Sequence, residues 1–313
     1  MSKYKAQSSK YHDMHPTTLR NKLSGVIAFP VTPFKDDLSL DLPALHQNLT
    51  HLLQYQISAL VAAGGTGEMY SLTPAEYTRV IELTALAVED RVPVIAGVGF
   101  GQRLAVEMAQ AAEKAGADGI LVFPPYYPHA ADEGLFEYYR AIGTATKLGL
   151  IIYSRDWTNF TPAMVERLTS IPTLIAWKDG QGDIRRLQAI MNRVGERLHW
   201  IGGAGDDLVA AYYSIGIRTF TSSIATVAPL LSLKLQELGE SGDMEALAEL
   251  LDRCVIPLYA LRARRKGYEV SAMKVMMDLV GLNGGSVRPP LVNVKPEEED
   301  ELRTILATWE KFL

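Results

Sequence analysis

Eight short apolar runs recur along the chain, each followed by a longer stretch of helical periodicity, and this rhythm limits the available folds. The runs cover 26–29, 57–62, 92–98, 119–123, 148–153, 174–177, 198–201 and 217–221. They are rich in β-branched residues, continuous rather than alternating, and bounded by Gly, Pro or Asp. A strand wetted on one side alternates polar and apolar residues, whereas a continuous run suits a strand covered on both faces, as in a parallel sheet. Helix signals fill the intervals. Thr73-Pro74-Ala75-Glu76 offers an N-cap, a proline at the first helical position and a capping-box glutamate. Thr161-Pro162 opens another helix in the same way, and Lys114-Ala115-Gly116 closes one with a cation and a glycine. This alternation predicts an α/β chain, a (β/α)8 TIM barrel over residues 25–239. A doubly wound open sheet competes, but it usually places a phosphate-binding glycine turn after its first strand. Here Pro30-Val31-Thr32-Pro33 stands there.

The flanks read differently. Residues 1–24 carry Lys3, Lys5, Lys10, Arg20 and Lys22 with little apolar patterning, and read as a frayed or surface-docked N-terminal arm. Beyond residue 239 the strand signal ends. Residues 243–265 and 271–279 read as helices and 281–294 as a connecting loop. Pro296 with the acidic run Glu297 to Glu301 opens a last helix, where acid suits the positive end of the helix dipole. Residues 240–313 thus read as a C-terminal helical extension packed beside the barrel.

Composition removes several function classes. A net charge of −5 over 313 residues argues against a nucleic-acid partner. One cysteine, Cys254, builds neither a disulfide framework nor a thiolate zinc cluster. No apolar stretch approaches the ~20 residues of a membrane span, and residues 1–21 lack the apolar core of a secretory signal, so a cytoplasmic location without a membrane partner is expected. The chain lacks a Walker A sequence, H-E-x-x-H and G-x-S-x-G, and its histidines show no metal spacing. Gly97 to Gly101 misses the dinucleotide pattern. No metal and no organic cofactor is expected.

In a parallel barrel the reactive groups sit where strands end, at the C-terminal face. The sixth run leads into Lys178. A lysine continuing a buried strand is desolvated, which lowers its pKa and leaves free amine able to attack a carbonyl and form a Schiff base. A lysine snorkelling from the strand end is the alternative. The fifth run ends in Tyr153, a phenol able to shuttle protons beside Lys178, or a ring that fills the barrel. The second run leads into Gly64-Gly65-Thr66-Gly67-Glu68, whose amides can cradle an anion or make a tight turn. Arg155 offers a bidentate fork for a carboxylate, or a surface salt bridge with Asp156. Gly180-Gln181-Gly182-Asp183, Gly203-Ala204-Gly205-Asp206 and Ser222-Ser223 follow the last three runs. They either line a pocket for a polyhydroxylated substrate or form ordinary capped turns.

Taken together, these strand ends resemble the dihydrodipicolinate synthase / N-acetylneuraminate lyase family of Schiff-base barrels. The resemblance spans roughly residues 24–313. Its landmarks are Phe29-Pro30-Val31-Thr32-Pro33-Phe34, Gly65-Thr66-Gly67-Glu68, Pro124-Pro125-Tyr126-Tyr127, Tyr153, Lys178 and Val227-Ala228-Pro229. Within that family, the glycine loop, Tyr153-Ser154-Arg155-Asp156 and Lys178-Asp179-Gly180-Gln181-Gly182-Asp183 are similar to the 5-dehydro-4-deoxyglucarate dehydratase subgroup. The resemblance implies that Lys178 forms the imine and Tyr153 handles protons. It implies that Gly65, Thr66, Gly67, Gly203 and Ser222 bind substrate, with Thr66 and Gly67 on the carboxylate next to the ketone and Arg155 on the far carboxylate. It further implies that Tyr127 reaches a neighbouring subunit in a homo-tetramer built as a dimer of dimers. The implied activity is loss of water and CO2 from a keto-deoxy sugar diacid, without a cofactor. Two positions depart from the pattern: Gly65 stands where the synthase branch has a hydroxyl residue, and Trp157 where the subgroup often has Asn. A pyruvate-dependent aldolase or synthase, a related keto-deoxy sugar acid dehydratase, and a non-catalytic sugar-acid binding protein are the competing readings.

Overall fold

A computed structural model describes residues 14–313. The strands are β1 (Gly25–Ala28), β2 (Ala59–Ala62), β3 (Val94–Val98), β4 (Gly119–Val122), β5 (Gly149–Ser154), β6 (Leu174–Asp179), β7 (His199–Gly202) and β8 (Thr219–Ser222). All are parallel and pair in chain order, and β8 returns to β1 to close the barrel. Every strand except β7 is buried along its whole length, which is why the runs carry no polar alternation. The open-sheet alternative falls with the β1–β8 pairing.

Helices alternate with the strands: α1 (Pro16–Lys22), α2 (Leu42–Leu52), α3 (Pro74–Val88), α4 (Gln102–Lys114), α5 (Asp132–Thr144), α6 (Pro162–Leu168), α7 (Ile184–Val194), α8 (Val209–Ser214) and α9 (Pro229–Ser241). The capping box forms at α3, where Thr73 and Glu76 bond reciprocally. Thr161 caps α6 through the Met164 amide at 3.1 Å. Gly116 takes a φ of +91° just past α4, a conformation that costs glycine no Cβ clash.

From residue 14 onward the segment read as a frayed or surface-docked arm is docked and partly helical. α1 lies against β5 and β6, and its Leu19 is fully buried. A Cβ added to Gly119 or Gly149, the first residues of β4 and β5, would collide with the Leu19 side chain. The helix therefore plugs the N-terminal mouth of the barrel, the end opposite the candidate site. Residues 1–13 of that reading lie outside the described residues.

One irregularity sets the geometry of the site. Between β5 and β6 the register runs Leu150↔Leu174 and then Ile151↔Ala176, so Ile175 is an extra residue on β6. Without this bulge Tyr153 would face Trp177; with it, Tyr153 stands beside Lys178. A one-residue slip exchanges the two faces of a strand. Here it leaves the Trp177 ring packed on Phe160 at 4.8 Å and the lysine beside the tyrosine.

Past the barrel come α10 (Met244–Leu250), α11 (Ile256–Arg262), α12 (Tyr268–Leu279) and α13 (Pro296–Ala307). The single helix expected over 243–265 widens into a π turn at Leu251–Val255, just before Pro257, which has no N–H to continue the ladder. The boundary expected at residue 239 falls inside α9. None of the described helices is long and apolar enough to cross a membrane.

Candidate active site

Lys178 is 2% exposed on β6. Its Nζ sits 3.3 Å from the centroid of the Tyr153 ring, 5.3 Å from that of Phe29, and 2.8 Å from the carbonyl oxygen of Gly203, to which it donates. Burial drives the Lys178 ammonium well below the ordinary lysine range, and the positive charge of Arg155 adds to the effect; Asp179 opposes it. The described residues bring no carboxylate into ion-pair contact with Nζ. An amine whose charged form is so disfavoured is readied as a nucleophile.

Tyr153 is buried beside it, and its hydroxyl donates to the same Gly203 carbonyl at 3.3 Å. Burial raises the phenol's pKa, so it is held as a proton donor. Phe123 packs edge-on against the Tyr153 ring, with centroids 5.3 Å apart. Gly203 admits no side chain, because its Cβ would fall 2.4 Å from Nζ. The loop that carries it is fixed from behind: the Tyr212 hydroxyl accepts from the Ala204 amide at 3.1 Å, and that of Tyr259 from the Asp206 amide at 2.7 Å. Tyr212 also donates to Asp179 at 2.8 Å, which ties the ends of β6 and β7 together.

Arg155 makes the salt bridge that its sequence neighbour allows. It pairs with Asp156 at 2.6 Å, and its guanidinium also lies over the Tyr153 ring at 5.3 Å and the Phe123 ring at 5.9 Å. Gly65 is next to it: a Cβ there would stand 3.6 Å from Nη1. Gly65, Arg155, Tyr153, Lys178 and Gly203 thus converge on one mouth, with Thr66 half-buried beside Gly65 and Gly67 buried beneath. Ser222 does not join them. Its buried hydroxyl is spent on Ser232 of α9 at 2.8 Å and on the Ala225 amide at 3.0 Å. Tyr127 stands outside, 71% exposed, next to an equally open Tyr126. Trp157 donates to the Pro125 carbonyl at 3.1 Å and meets Tyr126 edge-on, which fastens the loop after β5 to the loop after β4.

Several functional neighbours escaped the reading of strand ends. Phe29 was visible only as the end of the first run and the start of a family landmark, not as a neighbour of Lys178. Glu68 was visible only as part of the glycine loop, yet its side chain is fully buried and pairs with Lys274 on α12 at 2.6 Å.

Comparison with known proteins identifies the family and the fold. The dihydrodipicolinate synthetase family matches residues 22–309. A protein of Methylobacterium radiotolerans named probable 5-dehydro-4-deoxyglucarate dehydratase is 41% identical over 286 residues, covering 90% of this chain and 94% of its own. One of the same name from Rhizobium rhizogenes is 39% identical over 299 residues, covering 94% and 99%. The crystal structure of dihydrodipicolinate synthase from Oceanobacillus iheyensis superimposes with a TM-score of 0.89 at 29% identity, covering 95% of this chain and 99% of that one. The chain belongs to the dihydrodipicolinate synthetase family.

Proposed function

We propose that this enzyme is a decarboxylating hydro-lyase that converts 5-dehydro-4-deoxy-D-glucarate into 2,5-dioxopentanoate, water and CO2. The observation that carries the proposal is the Lys178 amine: buried at the end of β6, its charged form disfavoured by burial, and with no carboxylate among the described residues in ion-pair contact with it. The names borne by relatives about two-fifths identical point to the same substrate.

The chemistry runs as follows. Lys178 attacks the ketone and expels its oxygen as water, giving an iminium. The adjacent CH2 gives a proton to the Tyr153 phenolate, which had supplied one to the departing water, and the electron pair delocalises into nitrogen as an enamine. The enamine expels the β-hydroxyl as water with a proton from the Tyr153 phenol, leaving a conjugated iminium. That iminium is an electron sink for the carbon bearing the far carboxylate. CO2 leaves, its bonding pair moves through the conjugated chain to nitrogen, and protonation followed by hydrolysis frees the product and restores the amine. Thr66 and Gly67 receive the carboxylate next to the ketone, and Arg155 receives the far one. Asp156 weakens the arginine's hold, which favours release of charge as CO2 departs. Ser222 takes no part in this scheme, since its hydroxyl braces α9.

A synthase or aldolase that uses pyruvate is the second reading, favoured by the fold shared with the Oceanobacillus iheyensis enzyme. Borohydride reduction in the presence of the keto-deoxy sugar diacid, with peptide mass spectrometry and product analysis, decides between them. An adduct on Lys178 with release of CO2 is expected; pyruvate without CO2 would transfer the assignment to the aldolases. We read the assembly as a cytoplasmic homo-tetramer in which the exposed Tyr127 meets a neighbouring subunit.

A further inference from the structure

The molecule holds a second buried lysine, outside the mouth. Lys274 of α12 is 1% exposed, and its partner Glu68 is 0% exposed. The Lys274 ammonium reaches Glu68 Oε1 at 2.6 Å, the Thr32 carbonyl at 2.8 Å and the Ser286 carbonyl at 2.8 Å. Two of the ammonium's three donors go to carbonyls, and the carboxylate stands against it as an ion pair. The other Glu68 oxygen accepts from the Arg288 amide at 2.9 Å. Both cations lie over the Phe34 ring, Lys274 at 4.5 Å and Arg288 at 4.1 Å from its centroid.

Two of the three contacts that Lys274 makes lead to the glycine loop. One is direct, through the side chain of Glu68, whose backbone is held at a left-handed φ of 53°. The other passes through Thr32: its carbonyl accepts from Lys274, and its hydroxyl donates to the Gly67 carbonyl at 2.7 Å. The amides of 65–67 therefore stand on a platform bolted to α12 and to the loop after it. A buried ion pair is weak evidence for stability, because apolar side chains of similar volume often serve the fold as well. Charge-assisted bonds differ from apolar contact in fixing distance and direction.

We infer that Glu68 and Lys274 are positioning residues, through which the C-terminal helices hold the 65–67 loop at the height that receives a 2-oxo acid's carboxylate. The inference rests on the carboxylate-binding reading of that loop. It gives the C-terminal helical region a direct part in the active site.

The test removes both charges together, Glu68→Gln with Lys274→Met, so that no lone buried charge remains to unfold the protein. Thr32→Val, which keeps the pair and cuts only the bond to Gly67, is the milder companion should the double variant fail to fold. Pyruvate is the probe, since it has the near carboxylate and no far one. The double variant is expected to raise the pyruvate concentration that half-saturates borohydride trapping at Lys178 about tenfold, and Thr32→Val about threefold. The limiting trapping rate should stay within about twofold of wild type in both. Amide exchange at 65–67 should quicken while that of β3 to β6 does not change. Folded variants with unchanged half-saturation and unchanged loop exchange would overturn the inference, and so would a fall in limiting rate at constant half-saturation. A wild-type protein that traps no pyruvate and no sugar diacid would sink the lysine chemistry instead. Loop exchange alone then decides the tether, faster exchange upholding it and unchanged exchange refuting it.

Discussion

Lys178 and Lys274 are buried to almost the same degree, 2% and 1% exposed, yet their surroundings prepare them for opposite states. Burial lowers the pKa of both. Around Lys178 little answers that cost: one carbonyl, two ring faces and the charge of Asp179 out of ion-pair contact, while the Arg155 guanidinium adds to it. Around Lys274 a carboxylate and two carbonyls answer it, and Glu68 pulls the pKa back up. Desolvation sets the penalty for charge, and the first neighbours decide whether the charge survives it. The amine belongs where bonds must form, and the ammonium where a loop must be held.

The comparison breaks most sharply at Lys178. Lys178→Arg keeps a cation but removes the possibility of a free amine, because a guanidinium does not lose its proton in a protein. Turnover should fall by ~10⁴-fold or more, the scale of losing a covalent nucleophile, while the far-UV spectrum stays that of wild type. Measurable CO2 release from the variant would end the covalent account. Lys274→Met comes next. It strands the Glu68 carboxylate without its partner, at a cost of about 3–5 kcal/mol in a urea titration. Converting Glu68 to Gln in the same chain should recover much of that loss. A single variant as stable as wild type would mean that Lys274 is not the charged member of the two.

How far the sequence discloses each lysine follows from what surrounds it. Lys178 is legible because it terminates a continuous apolar run in a barrel, so its position alone implies both burial and the catalytic face. The eight runs locate the strands to within about two residues, and the glycine loop, Arg155 and Tyr153 fall at their ends. Lys274 sits in Ser271-Ala272-Met273-Lys274-Val275, which reads as an ordinary helix with one cation. Its partners Thr32, Glu68 and Ser286 come from three distant stretches, and only the closed barrel brings them together. The extra residue at Ile175 is equally silent, since register depends on pairing between strands. α1 hides for a different reason: two leucines, Leu19 and Leu23, carry its packing, too few to raise a periodic signal above a polar arm. The Ser222 hydroxyl is ambiguous in the sequence because a strand-end serine looks alike whether it faces a ligand or caps a turn; here it bonds the Ala225 amide.

The gentlest probe of the comparison is Lys178→Met, whose effect on stability should have the opposite sign to that of Lys274→Met. The folded pKa of Lys178 is depressed, so between the folded and unfolded values the unfolded chain binds a proton that the folded chain does not. Stability then rises with pH across that window, and the native protein carries a penalty near neutrality that vanishes as pH climbs towards the ordinary lysine value of about 10.4. Methionine has no such titration. The variant should therefore be more stable than wild type at pH 7, by about 0.5–2 kcal/mol, as expected when a functional group that strains its site is replaced by an apolar one. The advantage should shrink steadily between pH 8 and about 10. Losing the bond to the Gly203 carbonyl subtracts a constant that does not depend on pH, so the slope isolates the charge. Denaturation curves of the two proteins at several pH values give that slope directly. Parallel curves would mean that Lys178 holds its proton in the folded protein, and the two lysines would then differ in their partners but not in their state.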